Sequence, residues 1–121
     1  MVRILIIDDD DTVRVMVRKM LEYAGYDKAE EADDGSEGVK VFRQDPFDLV
    51  ITDIVMPGKD GLETIIELSR DYPGTKIIAM SGGDDSQDHL ERAKYLGANR
   101  TLSKPFNYSG LIDVVKEVLN E

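Results

Sequence analysis

Short runs of β-branched and aliphatic residues alternate with helix-patterned segments along the whole 121-residue chain, and this alternation constrains the fold more than any other feature. Ile4-Leu5-Ile6-Ile7 is a continuous apolar run that reads as a fully buried strand. Val13, Met16, Val17, Met20 and Leu21 follow at helical spacing, with Asp11 or Thr12 as the expected N-cap and Gly25 as the expected stop. The same pair of patterns then recurs. Strands are expected over 27–32, 47–52, 76–80 and 98–102, the first of these the weakest and close to a sheet edge. Helices are expected over 36–44, around Leu62, Ile65, Ile66 and Ser69, around Leu90, Ala93 and Gly97, and over the repeat Leu111, Val114, Val115, Val118 and Leu119. Strands alternating with helices of this length pair in parallel through right-handed crossovers. The chain therefore reads as one α/β domain over residues 1–121, without a linker or composition break.

Composition narrows the chemistry. There is no Cys, which removes disulfides, thiolate metal sites and cysteine nucleophiles, and the single His89 removes multi-histidine metal sites. Lys and Arg number 15 against 25 Asp and Glu, a net charge of −10 that disfavours nucleic acid or an anionic membrane as partner. No apolar run approaches the roughly 20 residues of a membrane span. The first residues carry no cleavage-site pattern, and a cytoplasmic location is the expectation.

In a parallel α/β sheet the carboxyl ends of all strands share one edge, and ligands bind there. The residues that follow the expected strands are Asp8-Asp9-Asp10-Asp11, Asp33-Asp34-Gly35, Asp53, Ser81-Gly82-Gly83 and Ser103-Lys104-Pro105. Carboxylates, a hydroxyl and a lysine thus converge at one rim. Clustered carboxylates repel one another unless a cation lies between them. Hard oxygen donors suit Mg²⁺, which keeps several waters and accepts phosphate oxygens. A carboxylate can act as the nucleophile in phosphoryl transfer, with a metal ion and a lysine stabilising the transferred charge.

At these residues the chain resembles the receiver domains of two-component response regulators. The resemblance runs from Arg3 to about Leu119 through Ile4-Leu5-Ile6-Ile7-Asp8-Asp9, the segment from Asp48 to Gly61, Met80-Ser81-Gly82, Gly97-Ala98 and Lys104-Pro105-Phe106. It implies a flavodoxin-like (βα)5 three-layer sandwich whose parallel five-stranded sheet has the order 2-1-3-4-5. It implies Asp53 as phosphoacceptor, Asp8 and Asp9 as the acidic pair of a Mg²⁺ site, and Val55 as the residue whose backbone carbonyl completes that site. It implies Ser81 and Lys104 as the groups that meet the phosphoryl group, and a cis bond between Lys104 and Pro105. The implied partners are a sensor histidine kinase or phosphotransfer protein, and either a downstream protein target or an output domain missing from this chain. Such a protein is a signalling phosphoacceptor that assists its own phosphorylation and dephosphorylation, rather than an enzyme.

Three positions depart from the family pattern or vary within it. Thr101 stands where many members carry Tyr or Phe as part of the switch, so an aromatic rotamer change is not expected. Val55 and Gly83 occupy the positions two beyond the phosphoacceptor and two beyond the hydroxyl. Neither side chain can orient an attacking water, which predicts slow self-dephosphorylation.

Other residues receive structural readings. Asp10 and Asp11 are expected to serve the start of the first helix through its dipole, Asp33-Asp34-Gly35 to form a βα turn, and Asp60-Gly61 to supply turn and capping chemistry rather than a ligand. Met16 and Met20 are expected to fill core, and His89 to be solvated. Tyr95 shares a charged face with Asp88, Glu91 and Arg92, where an aromatic can be a partner contact.

Two other functions fit parts of the chain. Asp8-x-Asp10-x-Thr12 matches the D-x-D-x-T/V motif of haloacid-dehalogenase-like phosphatases, with Asp8 as nucleophile. That family places its lysine before a later acidic pair, whereas here Asp84-Asp85 precedes Lys104, and a cap domain has no room. A receiver-like scaffold that is never phosphorylated is the second, and the full set of acids, hydroxyl and lysine argues against it. An FMN site is disfavoured because four acids would repel the flavin phosphate.

Overall fold

The computed structural model describes residues 1–121. Five strands alternate with five helices: β1 (Ile4–Ile7), α1 (Asp11–Tyr23), β2 (Ala29–Ala32), α2 (Gly35–Gln44), β3 (Leu49–Asp53), α3 (Gly61–Asp71), β4 (Lys76–Ser81), α4 (Ser86–Leu96), β5 (Arg100–Ser103) and α5 (Tyr108–Leu119). All strand pairs are parallel, and the sheet order is β2-β1-β3-β4-β5.

The two-residue period of a strand divides the core into two layers. Leu5, Ile7, Val50, Ile77 and Ala79 pack with Phe42, Ile65, Leu68, Leu90 and Ala93, from α2, α3 and α4. Ile4, Ile6, Leu49, Ile51, Ile78 and Met80 pack with Val17, Leu21, Leu111, Val115 and Val118, from α1 and α5. Both sheet faces are therefore covered. Burial of each large side chain contributes about 1.5–3 kcal/mol. All four residues of β1 are fully buried, as its unbroken apolar run requires.

Four helices begin on a side chain that accepts an amide hydrogen bond: Asp10, Asp34, Asp60 and Asn107. Asp10 Oδ1 accepts from the Thr12 and Val13 amides at 2.9 and 3.3 Å, so the cap lies one residue before the expected position. Gly25 follows the α1 C-cap with φ of 98°, a left-handed conformation that glycine tolerates. α4 differs from the rest, because its N-cap Asp85 makes no side-chain capping bond.

Two expectations are corrected. Met16 is exposed, because the buried stripe of α1 is only as wide as Val17 and Leu21, and Met16 falls on its margin. His89 is only partly solvated, with a buried Nδ1 that has no hydrogen-bond partner. No helix is long and apolar enough to cross a membrane.

Candidate functional site

Strand register brings the chemistry-bearing residues to one rim. Ile7 pairs with Thr52, so the next residues, Asp8 and Asp53, end adjacent strands at one level. Asp53 pairs with Met80, and Ser81 pairs with Ser103, one residue before Lys104. Strand alternation carries Asp8 beyond Ile4 and Ile6, Asp53 beyond Leu49 and Ile51, and Lys104 beyond Leu102, all on the face that α1 and α5 cover.

The charged groups meet there. Lys104 Nζ lies 3.0 Å from Asp8 Oδ2 and 3.2 Å from Asp53 Oδ1. One carboxylate oxygen from each of Asp8, Asp9 and Asp53 lies within 4.8 Å of the other two. Asp8 is fully buried, and its second oxygen accepts the Asp10 amide at 2.9 Å. Asp9 is exposed. The four-acid run therefore divides by position: Asp8 and Asp9 face the rim, Asp10 caps α1, and Asp11 pairs with Arg14.

Burial of the Asp53 carboxyl pushes its pKa above the ordinary 3.8, Lys104 opposes that rise and Asp8 adds to it. Burial pulls Lys104 down, but the charges and hydrogen bonds of Asp53 and Asp8 outweigh it and leave its pKa raised above 10.5. Three carboxylates facing one ammonium leave two negative charges at the rim. That excess, on oxygen donors alone, is the donor chemistry that fits a hard divalent cation.

The backbone around Asp53 is tightly fixed. The Gly61 amide donates to the Ile54 carbonyl at 2.7 Å, and a Cβ on Gly61 would collide with the Asp53 carbonyl and Ile54 Cα. Thr52 Oγ1 donates to the Asp53 carbonyl at 2.9 Å. Asp60 caps α3, as the turn-and-capping reading expects, and Gly61 also holds the strand end that carries Asp53. The Lys104 amide donates to the Ser81 carbonyl at 2.7 Å, and the Lys104–Pro105 bond is cis, as expected.

Ser81 is buried at the end of β4, and Thr101 is half-buried on β5 opposite Ala79. Val55 lies in the loop after β3 with its side chain exposed, and Gly83 precedes α4 with φ of 91°. Asp34 caps α2, so the acidic turn after β2 is structural. Tyr95 is 91% exposed on the charged face of α4. Sequence reasoning passed over Arg14, whose guanidinium reaches the Asp8 carbonyl at 2.7 Å. Its three-residue spacing from Asp11 on the helix was a visible pairing signal.

A family profile for the response regulator receiver domain matches residues 4–116. The chain is 32% identical over 117 residues to the chemotaxis protein CheY of Halobacterium salinarum, covering 97% of this chain and 96% of that one. It is 36% identical over 116 residues to the transcriptional regulatory protein PdtaR of Mycobacterium tuberculosis, covering 94% of this chain and 55% of the relative. The structure of chemotaxis protein CheY4 of Vibrio cholerae superposes with a TM-score of 0.88 at 32% identity, covering 98% of each chain.

Proposed function

The chain belongs to the response regulator receiver domain family of two-component systems, and from that premise we propose that Asp53 accepts a phosphoryl group from a phosphohistidine of a sensor kinase or phosphotransfer protein. The observation that carries the proposal is the joint position of Lys104 Nζ, 3.0 and 3.2 Å from the carboxylates of Asp8 and Asp53, beside the free carboxylate of Asp9.

An Asp53 carboxylate oxygen attacks phosphorus. A P–O bond forms, the P–N bond to the donor imidazole breaks, and the imidazole leaves with the bonding pair. The attack requires Asp53 to be ionised in a buried setting that opposes ionisation, and Lys104 favours the charged form. Asp8, Asp9, Asp53 and the Val55 carbonyl would hold Mg²⁺. When bound, the ion would neutralise excess charge and stabilise negative charge on the phosphoryl oxygens. Ser81 donates its hydroxyl to the new phosphoryl group, and Lys104 moves its charge from the bare carboxylate to the phosphoryl oxygens. These contacts bias a two-state equilibrium of the rim, with half-buried Thr101 in place of the aromatic switch.

The protein acts as a signalling phosphoacceptor rather than an enzyme, in the cytoplasm. It passes the signal to a protein target or to an output domain on a longer chain, with no direct contact to nucleic acid or membrane. The phosphatase reading with Asp8 as nucleophile is disfavoured, because both Asp8 oxygens already accept hydrogen bonds, from the Asp10 amide and from Lys104.

The test is intact-mass measurement after exposure to a small phosphodonor. One phosphoryl mass is expected on the wild type with Mg²⁺, and none with a chelator or on Asp53→Asn. A persistent gain on Asp53→Asn overturns the assignment.

A further inference from the structure

Arg14 makes three side-chain hydrogen bonds beside the rim. It lies in the second turn of α1, its side chain 13% exposed. Nη1 donates to the Asp8 carbonyl at 2.7 Å, Nε donates to Glu31 Oε1 at 2.9 Å, and Nη2 donates to Asp11 Oδ1. One planar group thereby ties together the end of β1, the first turn of α1 and edge strand β2. Glu31 is held in turn by Arg18, whose Nε donates to its other oxygen.

None of the Arg14 bonds goes to a carboxylate of Asp8 or Asp9. A cation serving to neutralise the rim would pair with those groups and compete with a metal ion. Arg14 instead grips the backbone carbonyl of Asp8, just beyond the last paired residue of β1. The Asp10 amide donates back to Asp8 Oδ1, so the acidic turn closes on itself with Arg14 fixing its root.

We propose that Arg14 is a positioning residue, which holds the Asp8–Asp10 turn in the shape that lets the carboxylates of Asp8, Asp9 and Asp53 share one divalent cation. This rests on the functional reading above and adds to it a residue that touches neither metal nor phosphoryl group. The sign of its effect separates position from charge. By charge alone, deleting a cation beside three carboxylates strengthens their hold on a divalent ion. By position, deletion weakens it, as removal of groups that orient metal ligands does.

The experiment uses Arg14→Lys, which keeps the charge and loses the planar fork, and Arg14→Gln, which loses both. Arg70→Gln, on an exposed stretch of α3, controls for net charge. The first readout is amide hydrogen exchange at Asp9 and Asp10 in metal-free protein. The second is the Mg²⁺ dissociation constant by titration calorimetry. Both Arg14 variants should exchange faster at Asp10 by about tenfold or more. Both should bind Mg²⁺ about tenfold more weakly, with the Arg70 variant unchanged. Wild-type exchange and affinity in Arg14→Lys overturn the proposal, as does equal or tighter Mg²⁺ binding in Arg14→Gln. If Arg14→Gln does not fold, Arg14→Lys decides alone. A wild type that binds no Mg²⁺ removes the functional reading instead, and the exchange readout then decides the role of Arg14 by itself.

Discussion

Replacing Lys104 by Met removes the one cation paired with both Asp8 and Asp53 and leaves two buried carboxylates facing each other. At an effective dielectric of about 20, each contact near 3 Å is worth about 5 kcal/mol of attraction before desolvation is subtracted. The lysine side chain is 22% exposed, so solvent screening and its own desolvation offset much of that. Protonation limits the loss from the other side. A carboxyl with an ordinary pKa of 3.8 can be protonated at pH 7 for about 4 kcal/mol, and at pH 5 for about 1.6 kcal/mol. The expected destabilisation is therefore about 2–4 kcal/mol at pH 7 and at most about 1.6 kcal/mol at pH 5. The sign follows from linkage. Burial already raises the folded Asp53 carboxyl above the unfolded 3.8, and loss of the opposing Lys104 raises it further, so the folded state holds a proton that the unfolded state has lost, and stability falls as pH rises past 3.8. Urea unfolding of metal-free protein at both pH values measures this, with the m-value checked for constancy. In an Asp53→Asn background the same substitution should cost at least about 1 kcal/mol less at pH 7. An equal loss at the two pH values, or no coupling to Asp53, refutes the electrostatic account of this site.

Other perturbations probe separate parts of the account. Asp53→Asn alone should stabilise the metal-free protein at pH 7 but not well below pH 3.8, because burial raises the folded pKa and makes the ionised carboxylate a liability above that value; thermal melts across pH decide it, and a stabilisation that persists at low pH contradicts it. Gly61→Ala places a methyl group against the Asp53 carbonyl and Ile54 Cα, which are backbone and cannot rotate away. It should cost about 2–4 kcal/mol in urea unfolding and slow phosphorylation, whereas a near-neutral effect would mean that the loop yields. Asp60→Ala, which removes the α3 cap, should cost about 1 kcal/mol, and a loss near zero would show that water replaces the cap. With Val55 and Gly83 offering no group to orient water, the phosphoryl half-life should be minutes or longer, and decay within seconds would contradict that reading.

Much of this site was legible because strand ends in a parallel sheet share a rim, so Asp8, Asp53, Ser81 and Lys104 could be placed together once the βα pattern was read. Strand boundaries were less so. β2 begins at Ala29, two residues later than expected, because an edge strand of Ala-Glu-Glu-Ala has little apolar signal to mark its start. Met16 lies at the margin of the α1 stripe, where only Val17 and Leu21 are buried. Helical periodicity gives the direction of a side chain but not the width of the covered stripe, so Met16 read as core although it is exposed. His89 read as solvated from its polar neighbours, yet packing buries Nδ1. The spacing of Arg14 from Asp11 shows only that side-chain pair; its tie to the rim was not legible because the acceptor there is the backbone carbonyl of Asp8.

The most direct test of the central claim identifies the modified atom. Protein phosphorylated by a small donor in Mg²⁺ is reduced with borohydride, which converts an aspartyl phosphate to homoserine, and the peptides are sequenced by mass spectrometry. The account predicts homoserine at position 53 alone. Homoserine at position 8, or phosphate only on a residue that borohydride leaves unchanged, would contradict it.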